Sequence, residues 1–255
     1  MALKEKFDLS GRSAIVTGGA RGIGQACADA LAEYGVNLVL ADILEKELAE
    51  TAADLAARDG VQTEGRPCDV TDSAAVDALV ARAVELYGKL DIFVNSVGIT
   101  IWEPSLSTTD EQWNKVINTN LNAAFYQSRA AGRQMLAQGK GSIVHLASMS
   151  GTIVNTPQFQ TSYNASKAGL MHLVRSLAAE WADRGVRVNT LSPGYTLSVM
   201  TYTVKEHFDY WNTLIPMRRM AQPEEVVGAL IYLASDASSY TTGHDLVMDG
   251  GYTCW

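Results

Sequence analysis

The sequence predicts an α/β fold, a parallel β-sheet doubly wound by helices, in one domain. Short apolar runs alternate with helix-like segments along nearly the whole chain. Runs such as "VNLVLAD" at 36–42 lack the polar alternation of a half-solvated sheet, which indicates strands covered on both faces. With 255 residues, 47% of them hydrophobic, the chain can build a large core. The alternation is interrupted by no linker, so we expect residues 1–255 to form a single domain.

The elements follow one another in a regular order. Apolar runs closed by Gly or polar residues predict strands, and amphipathic segments ending in Gly predict helices. The predicted strands are "SAIVTG", "VNLVLAD", "VQTEGRPCDV", "LDIFVNSVG", "GSIVHLAS", "VRVNTLSPG" and 244–248. The predicted helices are "IGQACADALAEYG", "EKELAETAADLAARDG", "AAVDALVARAVELYG", 110–135, 161–184 and 224–234. Residues 195–222 mix aromatics, Met and charge, and we expect this segment to cover the substrate at the edge of the sheet.

Charge and terminal composition exclude several classes of protein. The net charge of −8, without a basic run, argues against non-specific binding to nucleic acid or to an anionic membrane. We find no apolar stretch of about 18 residues, and "MALKEKFDLSGR" lacks the apolar core of a signal peptide. We therefore expect a cytoplasmic protein. The cysteines and histidines have no metal-ligand spacing, so no metal site is expected; they are Cys27, Cys68, Cys254, His145, His172, His207 and His244.

A glycine-rich turn, "TGGARGIG", joins the first strand to the first helix. Gly18, Gly22 and Gly24 lie where a tight turn and a phosphate group leave no room for a Cβ. The free N–H groups and the positive dipole end of the following helix favour a pyrophosphate. Placed in the first βαβ unit, the turn predicts a dinucleotide site of the Rossmann type.

Asp42 ends the second strand, eighteen residues after Gly24. A carboxylate there accepts hydrogen bonds from an adenosine ribose and repels a 2′-phosphate, which favours NAD over NADP. Two alternatives stay open. Asp42 could cap the next helix, and the charge of Arg21 could help to hold a phosphate.

The stretch "TSYNASKAG" at 161–169 places Tyr163 and Lys167 four residues apart, on one face of a predicted helix. Alone, such a pair usually means a half-buried ring and a surface charge. Together with "TGGARGIG", "CDVTD", "NSVG", "NTNLN", "GSIVHLASMSG", "YNASK", "SPG" and "DGGY", in that order, it resembles the short-chain dehydrogenase/reductase family. The resemblance covers essentially the whole chain.

The resemblance implies roles for individual residues. Tyr163 corresponds to the catalytic acid/base and Lys167 to the residue that lowers the pKa of that tyrosine and holds the nicotinamide ribose. Ser148 corresponds to the serine that binds the substrate oxygen, with Ser150 as a rival because the stretch up to Tyr163 is unusually long. Asn120 corresponds to the anchor of a proton-relay water. The implied cofactor contacts are Gly18, Arg21, Gly22, Ile23, Gly24, Asp42, Asp69, Val70, Asn95, Gly98, Tyr163, Lys167, Pro193, Gly194 and Ser198. One departure, "NSVG" for the usual "NNAG", affects packing beside the cofactor.

The substrate is predicted from the amides between the serine and the tyrosine. Asn155, Gln158 and Gln160 both donate and accept hydrogen bonds, which suits neutral hydroxyl groups, although such amides also commonly satisfy loop backbone. This region and the "DGGYTCW" ending also resemble polyol and ketose reductases of the family. We expect oxidation of a secondary alcohol of a linear polyol; the alternatives are reduction of a 3-oxoacyl thioester and a cofactor-binding regulator without activity. The family resemblance and the apolar C-terminal region imply a homotetramer.

Overall fold

The computed structural model describes residues 2–255 and contains a seven-stranded, fully parallel sheet. The strand order is β3-β2-β1-β4-β5-β6-β7. The strands are β1 (Ser13–Thr17), β2 (Asn37–Asp42), β3 (Thr63–Pro67), β4 (Ile92–Asn95), β5 (Gly141–Leu146), β6 (Val186–Pro193) and β7 (Asp245–Met248). The chain thus starts in the middle of the sheet, winds outward to β3 and returns to build the other half. This is the doubly wound α/β fold that the alternation predicted.

Helices cover both faces of the sheet. They are α1 (Gly22–Glu33), α2 (Glu45–Asp59), α3 (Ser73–Tyr87), α4 (Asp110–Ile117), α5 (Ala123–Gln138), α6 (Thr161–Trp181), α7 (Val199–Tyr202), α8 (Phe208–Leu214) and α9 (Pro223–Ala234). Buried side chains of α1, α2 and α9, such as Leu31 and Leu230, form one apolar layer. Those of α3, α5 and α6, such as Leu79 and Val174, form the other. The central strands are buried on both faces because each layer covers one of them, whereas the edge strands β3 and β7 are partly exposed.

The predicted helix over 110–135 is continuous but not uniform. A π-helical turn, Asn118–Asn122, separates α4 from α5, and the first helix begins at a capping box formed by Thr109 and Gln112. Single π turns inside helices often mark functional positions, because they turn one side chain away from the regular helical face. Asn120, which the family resemblance assigns a catalytic role, lies in this turn.

The segment 195–222 lies over the carboxyl end of the sheet and contains α7 and α8. Its apolar side chains, including Tyr195, Trp211, Ile215 and Met220, form a third, smaller core with Met149. A short parallel bridge between Thr196 and Ala221 closes the base of the segment. Within residues 2–255, no helix has the length and apolar character to cross a bilayer.

Candidate active site

A cavity of about 1310 Å³ opens at the carboxyl ends of the central strands. In an open parallel sheet, ligands bind where neighbouring crossovers run to opposite faces, and here this point lies between β1 and β4. The cavity exceeds the usual 300–1,000 Å³ of small-molecule sites, so it has room for more than one ligand. Most residues predicted from the sequence line it: Gly18, Arg21, Gly22, Ile23, Gly24, Asp42, Asp69, Val70, Gly98, Ser148, Ser150, Asn155, Tyr163, Lys167, Pro193, Gly194 and Ser198.

The glycine turn fits a dinucleotide phosphate by its shape. Gly18 and Gly22 have φ of +73° and +62°, in the left-handed region that favours glycine. A Cβ on Gly24 would lie 2.7 Å from the carbonyl carbon of Gly18, so the helix can approach the turn only without a side chain there. Backbone N–H groups at the start of α1 therefore border the cavity directly, which supports the predicted phosphate site.

Asp42 is held at the rim of the cavity by backbone amides. Its Oδ2 accepts from the Ala20 N–H at 3.3 Å, and its Oδ1 accepts from the Leu44 N–H at 3.2 Å. The alternative helix-capping role is wrong, since α2 begins at Glu45 after Leu44, without a side-chain cap. Arg21 lines the same end of the cavity and is exposed. The structure thus brings together the carboxylate that favours NAD and the cation that favours NADP.

Tyr163 and Lys167 face the other end of the cavity from successive turns of α6. The Lys167 ammonium is buried; it donates to the Leu146 carbonyl at 2.7 Å and lies 5.6 Å from the centre of the Tyr163 ring. A Cβ on Gly98 would come within 3.3 Å of the Lys167 Nζ, so a glycine at the end of the "NSVG" turn keeps this ammonium accessible from the cavity. Two chemically distinct polar groups, a phenol and a cation, therefore share one wall.

Burial dominates the protonation of this pair. It lowers the pKa of Lys167 to about 8. It also raises the pKa of Tyr163, an effect that a hydrogen bond with the Ser148 side chain opposes. The expected lowering of the Tyr163 pKa by Lys167 is therefore not found in the protein alone, where desolvation by burial has the largest effect.

Ser148 and its rival Ser150 are both buried beside the tyrosine. The Ser148 Oγ accepts from the Ser150 N–H at 3.1 Å and donates to the Ser150 Oγ at 3.0 Å. The Ser148 side chain, and not that of Ser150, opposes the rise in the pKa of Tyr163. This difference favours Ser148 for the role next to the acid/base, with Ser150 hydrogen-bonded to it.

Asn120 does not line the cavity. Its Nδ2 donates to the Ile99 carbonyl at 2.9 Å and to the Ser166 Oγ at 3.0 Å, while its Oδ1 accepts from the Ile99 N–H at 2.9 Å. The Ser166 hydroxyl donates in turn to the Tyr163 carbonyl at 2.7 Å. In this structure Asn120 thus ties the loop after β4 to the first turn of α6.

The three amides predicted to meet substrate differ in their contacts. Gln160 donates to the Asn155 Oδ1 at 3.1 Å and accepts from the Thr100 hydroxyl at 3.4 Å. The Asn155 Nδ2 donates to the Tyr195 hydroxyl at 3.4 Å, and the Gln158 Nε2 donates to the same oxygen at 2.9 Å. Asn155 and Gln160 thus use both ends of their amides within the protein, although on other side chains and not on the loop backbone that the alternative named. Gln158 keeps its Oε1 without a partner among the described residues.

Comparison with known proteins identifies the family. The family model described as enoyl-(acyl carrier protein) reductase matches residues 18–253. A galactitol 2-dehydrogenase from Rhizobium johnstonii is 44% identical, with 100% of both chains covered. An L-tagatose-forming galactitol 2-dehydrogenase from Cereibacter sphaeroides is 45% identical, again over 100% of both. The chain belongs to the short-chain dehydrogenase/reductase family.

Further members of this family match in fold or in sequence, and one of them is named for its use of NADP. The crystal structure of a short-chain type dehydrogenase/reductase from Mycobacterium marinum superposes with a TM-score of 0.96, at 38% identity and with 100% of both chains covered. An NADP-dependent mannitol dehydrogenase from Alternaria alternata is 43% identical over 98% of this chain and 95% of its own. The resemblance inferred from the motifs and the predicted fold are both confirmed.

Asn95, predicted to contact the cofactor, lies behind the cavity in this short-chain dehydrogenase/reductase. It is buried, its Oδ1 accepts from the Val97 N–H at 3.0 Å, and its Nδ2 lies 3.0 Å from the Nδ1 of His145. The His145 Nε2 lies 2.8 Å from the Ser128 Oγ, which donates to the Ala124 carbonyl. This network assigns a neutral His145 with its proton on Nε2. Asn95 therefore shapes the turn to Gly98 from below and does not line the site.

We expect His145 to make the protein sensitive to mild acid. Burial, with a smaller effect from the Lys167 charge, lowers its pKa from 6.5 to about 3, so only the unfolded chain takes up this proton between those values. The free energy of unfolding should therefore fall by about 2 kcal/mol from pH 7.5 to pH 5. Urea unfolding at several pH values measures this, and His145→Gln should flatten the dependence. An equally steep fall in the variant would contradict the assignment.

Sequence reasoning missed the aromatic wall of the cavity. Trp102, Tyr195 and Trp211 line it, and the rings of Tyr195 and Trp211 stack with centroids 4.1 Å apart. Tyr195 directly follows the "SPG" motif, which could have marked it. Trp211 carries no local signal, because only the fold of the 195–222 segment brings it to the site.

Proposed function

We infer that this chain is an oxidoreductase that interconverts a secondary alcohol of a polyol and the corresponding ketose, with a nicotinamide dinucleotide as cofactor. The observation that carries this is the meeting of Ser148, Tyr163 and Lys167 at one end of a cavity whose other end is the glycine turn. Relatives named as galactitol, mannitol and arabinitol dehydrogenases over nearly their full length support the substrate class.

The side chains divide the work of oxidation between them. Ser148 hydrogen-bonds the reacting oxygen, and Tyr163 takes the proton of the alcohol as general base. Lys167 would orient the nicotinamide ribose, and its charge together with that of bound NAD would favour the phenolate, against the desolvation that raises the Tyr163 pKa in the protein alone. A nicotinamide dinucleotide held by these residues would supply the hydride acceptor for oxidation and the hydride donor for reduction. The hydrogen bonds of the Asn120 side-chain amide to Ile99 and Ser166 hold the turn that carries Gly98 in position against α6.

Polar and apolar features of the cavity distinguish the candidate substrates. The amides of 155–160 suit hydroxyl groups, whereas the aromatic wall of Trp102, Tyr195 and Trp211 also suits a carbon chain. Because the aromatic wall also suits an acyl chain, the test includes the alternative function, reduction of a 3-oxoacyl thioester. A regulator without activity is disfavoured by the intact catalytic set.

The test of this function is a substrate panel with the purified protein. Linear polyols of four to six carbons, the matching ketoses, simple diols and acetoacetyl thioesters are compared by kcat/KM with NAD and with NADP. We expect the polyols and ketoses to rank first. Better turnover of acetoacetyl thioesters than of every polyol and ketose would overturn the substrate assignment while leaving the catalytic one intact.

We propose that NAD is preferred over NADP because Asp42 faces the adenosine ribose position. Asp42→Ala should lower the ratio of kcat/KM for NAD to kcat/KM for NADP, mainly because kcat/KM for NAD falls. The matched variant Arg21→Ala should raise the same ratio, since it removes the cation that would favour the 2′-phosphate of NADP. Equal use of both cofactors by the unmodified protein would refute the preference.

We also propose a homotetramer in the cytoplasm. The outer edge of β7 has no partner strand within residues 2–255, Val247 on that strand is partly exposed, and the nearby Trp255 is 75% exposed. Unpaired edges and exposed apolar side chains favour association. Light scattering at micromolar concentration should give four times the chain mass of 27.5 kDa. A monomeric mass would reject this proposal.

A further inference from the structure

Two buried polar atoms on the cavity wall lack hydrogen-bond partners. They are the Gln158 Oε1 and the Trp211 Nε1, on side chains that are 7% and 1% exposed, and neither finds a partner among residues 2–255. Buried polar groups are nearly always paired, so each orphan atom calls for an explanation. One is an acceptor and the other a donor, which is the combination that a hydroxyl group satisfies.

Both atoms belong to one small region. The Gln158 Nε2 donates to the Tyr195 hydroxyl at 2.9 Å, and the Trp211 ring stacks on the Tyr195 ring at 4.1 Å with an angle of 13° between the planes. Tyr195 thus fixes both side chains in place. The hydrogen bond from the Gln158 Nε2 to this hydroxyl fixes the orientation of the amide. The Gln158 Oε1 is therefore available to a further hydrogen-bond donor.

The region is joined to the reacting end of the cavity by a series of side-chain contacts. Ser148 bonds Ser150, whose Oγ lies 3.4 Å from the Gln160 Nε2, and Gln160 bonds Asn155. Asn155 then reaches the Tyr195 hydroxyl. Gln158 and Trp211 therefore stand at the far end of this series from Ser148, where the remote part of a linear substrate would lie.

We propose that Gln158 and Trp211 form a hydroxyl-binding subsite for the part of the polyol remote from the oxidised carbon. The Gln158 Oε1 accepts a hydrogen bond from one substrate hydroxyl, and the Trp211 N–H donates to a neighbouring one. The proposal rests on the polyol function inferred above and deepens it. It also replaces Asn155 as the expected polyol contact, since both ends of the Asn155 amide are used within the protein.

In the free protein, two polar atoms are buried without hydrogen bonds, and the free-energy cost of this burial makes the subsite selective. A polyol satisfies both orphan atoms, whereas an alcohol without remote hydroxyls leaves them buried and unpaired. Sites built to bond a hydroxyl discriminate strongly against analogues that lack it.

The test compares two substrates in three variants. Gln158→Met and Trp211→Phe remove the orphan atom and keep the size or the aromatic stack, and Trp113→Phe removes an indole N–H from the partly exposed helix α4, outside the cavity. The measured quantity is kcat/KM for galactitol divided by kcat/KM for 2,3-butanediol. We expect each cavity variant to lower this ratio at least tenfold, mainly through the KM of galactitol, and Trp113→Phe to leave it within twofold.

Each outcome bears on one claim. A ratio within twofold of the unmodified protein in both cavity variants, with thermal unfolding unchanged, overturns the subsite and leaves the polyol function intact. If the unmodified protein turns over no polyol or ketose, the proposed function itself fails. If Trp211→Phe does not fold, Gln158→Met decides alone, because Gln158 lies on a loop and contributes no apolar side chain to the small core around Trp211.

Discussion

Replacement of Tyr163 by Phe is expected to lower kcat by about 10²–10⁴-fold, the usual contribution of a general acid/base. The change removes a single oxygen from a half-buried ring, so the packing of α6 and the position of Lys167 are retained. Cofactor affinity should therefore stay within a few-fold of that of the unmodified protein. Steady-state kinetics and a fluorescence titration with NADH measure the two quantities separately.

The control for this prediction is Tyr240→Phe, which removes the same atom from a fully exposed tyrosine. It should leave kcat unchanged. Near-normal turnover by Tyr163→Phe would mean that another group moves the proton, and the hydroxyl of Ser148 would then be the first to examine. A loss of cofactor binding in step with turnover would instead show that the ring hydroxyl supports the cofactor more than the chemistry.

Replacement of Gly24 by Ala is expected to raise the dissociation constant of the cofactor at least tenfold. The new Cβ would collide with the backbone of Gly18, whose carbonyl carbon lies 2.7 Å from the built position, and backbone atoms cannot swing away as a flexible side chain could. The turn between β1 and α1 must then shift, which moves the N–H groups that border the phosphate position. Overpacking of this kind typically costs about 1–3 kcal/mol of stability as well.

Gly228→Ala provides a matched control for the effect of a methyl group in a helix. Gly228 lies within α9, and a Cβ there meets nothing within 4 Å. Alanine should therefore stabilise the protein by roughly 0.5–1 kcal/mol through helix propensity, with no effect on the cofactor. The thermal unfolding temperatures of the two variants should shift in opposite directions, and NADH titration should show weaker binding in Gly24→Ala alone. Normal cofactor affinity in Gly24→Ala would show that the glycine turn does not hold the phosphates.

We expect the substrate specificity of this enzyme to depend on how the polar and apolar walls of the cavity are combined. The amides of 155–160 form a network that is largely complete within the protein, and the aromatic side chains of 195–222 close over it. A polyol can satisfy both parts, because its hydroxyl groups replace missing hydrogen bonds while its C–H groups pack on the rings. An acyl substrate would pack on the rings alone and would leave the polar wall without hydrogen bonds.

Much of the fold could be predicted because its signals are local. The central strands are largely apolar on both faces, and the helices over 110–138 and 161–184 follow their periodicity to within a few residues. The glycine turn was recognised because Gly18, Gly22 and Gly24 are required by backbone geometry itself, which a sequence records directly. The π turn at Asn118–Asn122 could not be predicted, since a single wide turn leaves the hydrophobic pattern unchanged.

The sequence by itself determined the doubly wound sheet, the family, and the pairing of Tyr163 with Lys167, because spacing along one helix places both on one face. Only the tertiary structure decided which predicted residues reach the cavity. Asn95 and Asn120 were expected at the site, but their amides take part in hydrogen-bond networks behind the cavity. Asn155 lines the cavity, but both ends of its amide are hydrogen-bonded to Tyr195 and Gln160. Trp211 reaches the wall from a segment distant in the chain. Hydrogen-bond partners are fixed by contacts between residues far apart in sequence, so a free polar atom such as the Gln158 Oε1 becomes visible only when the chain is folded.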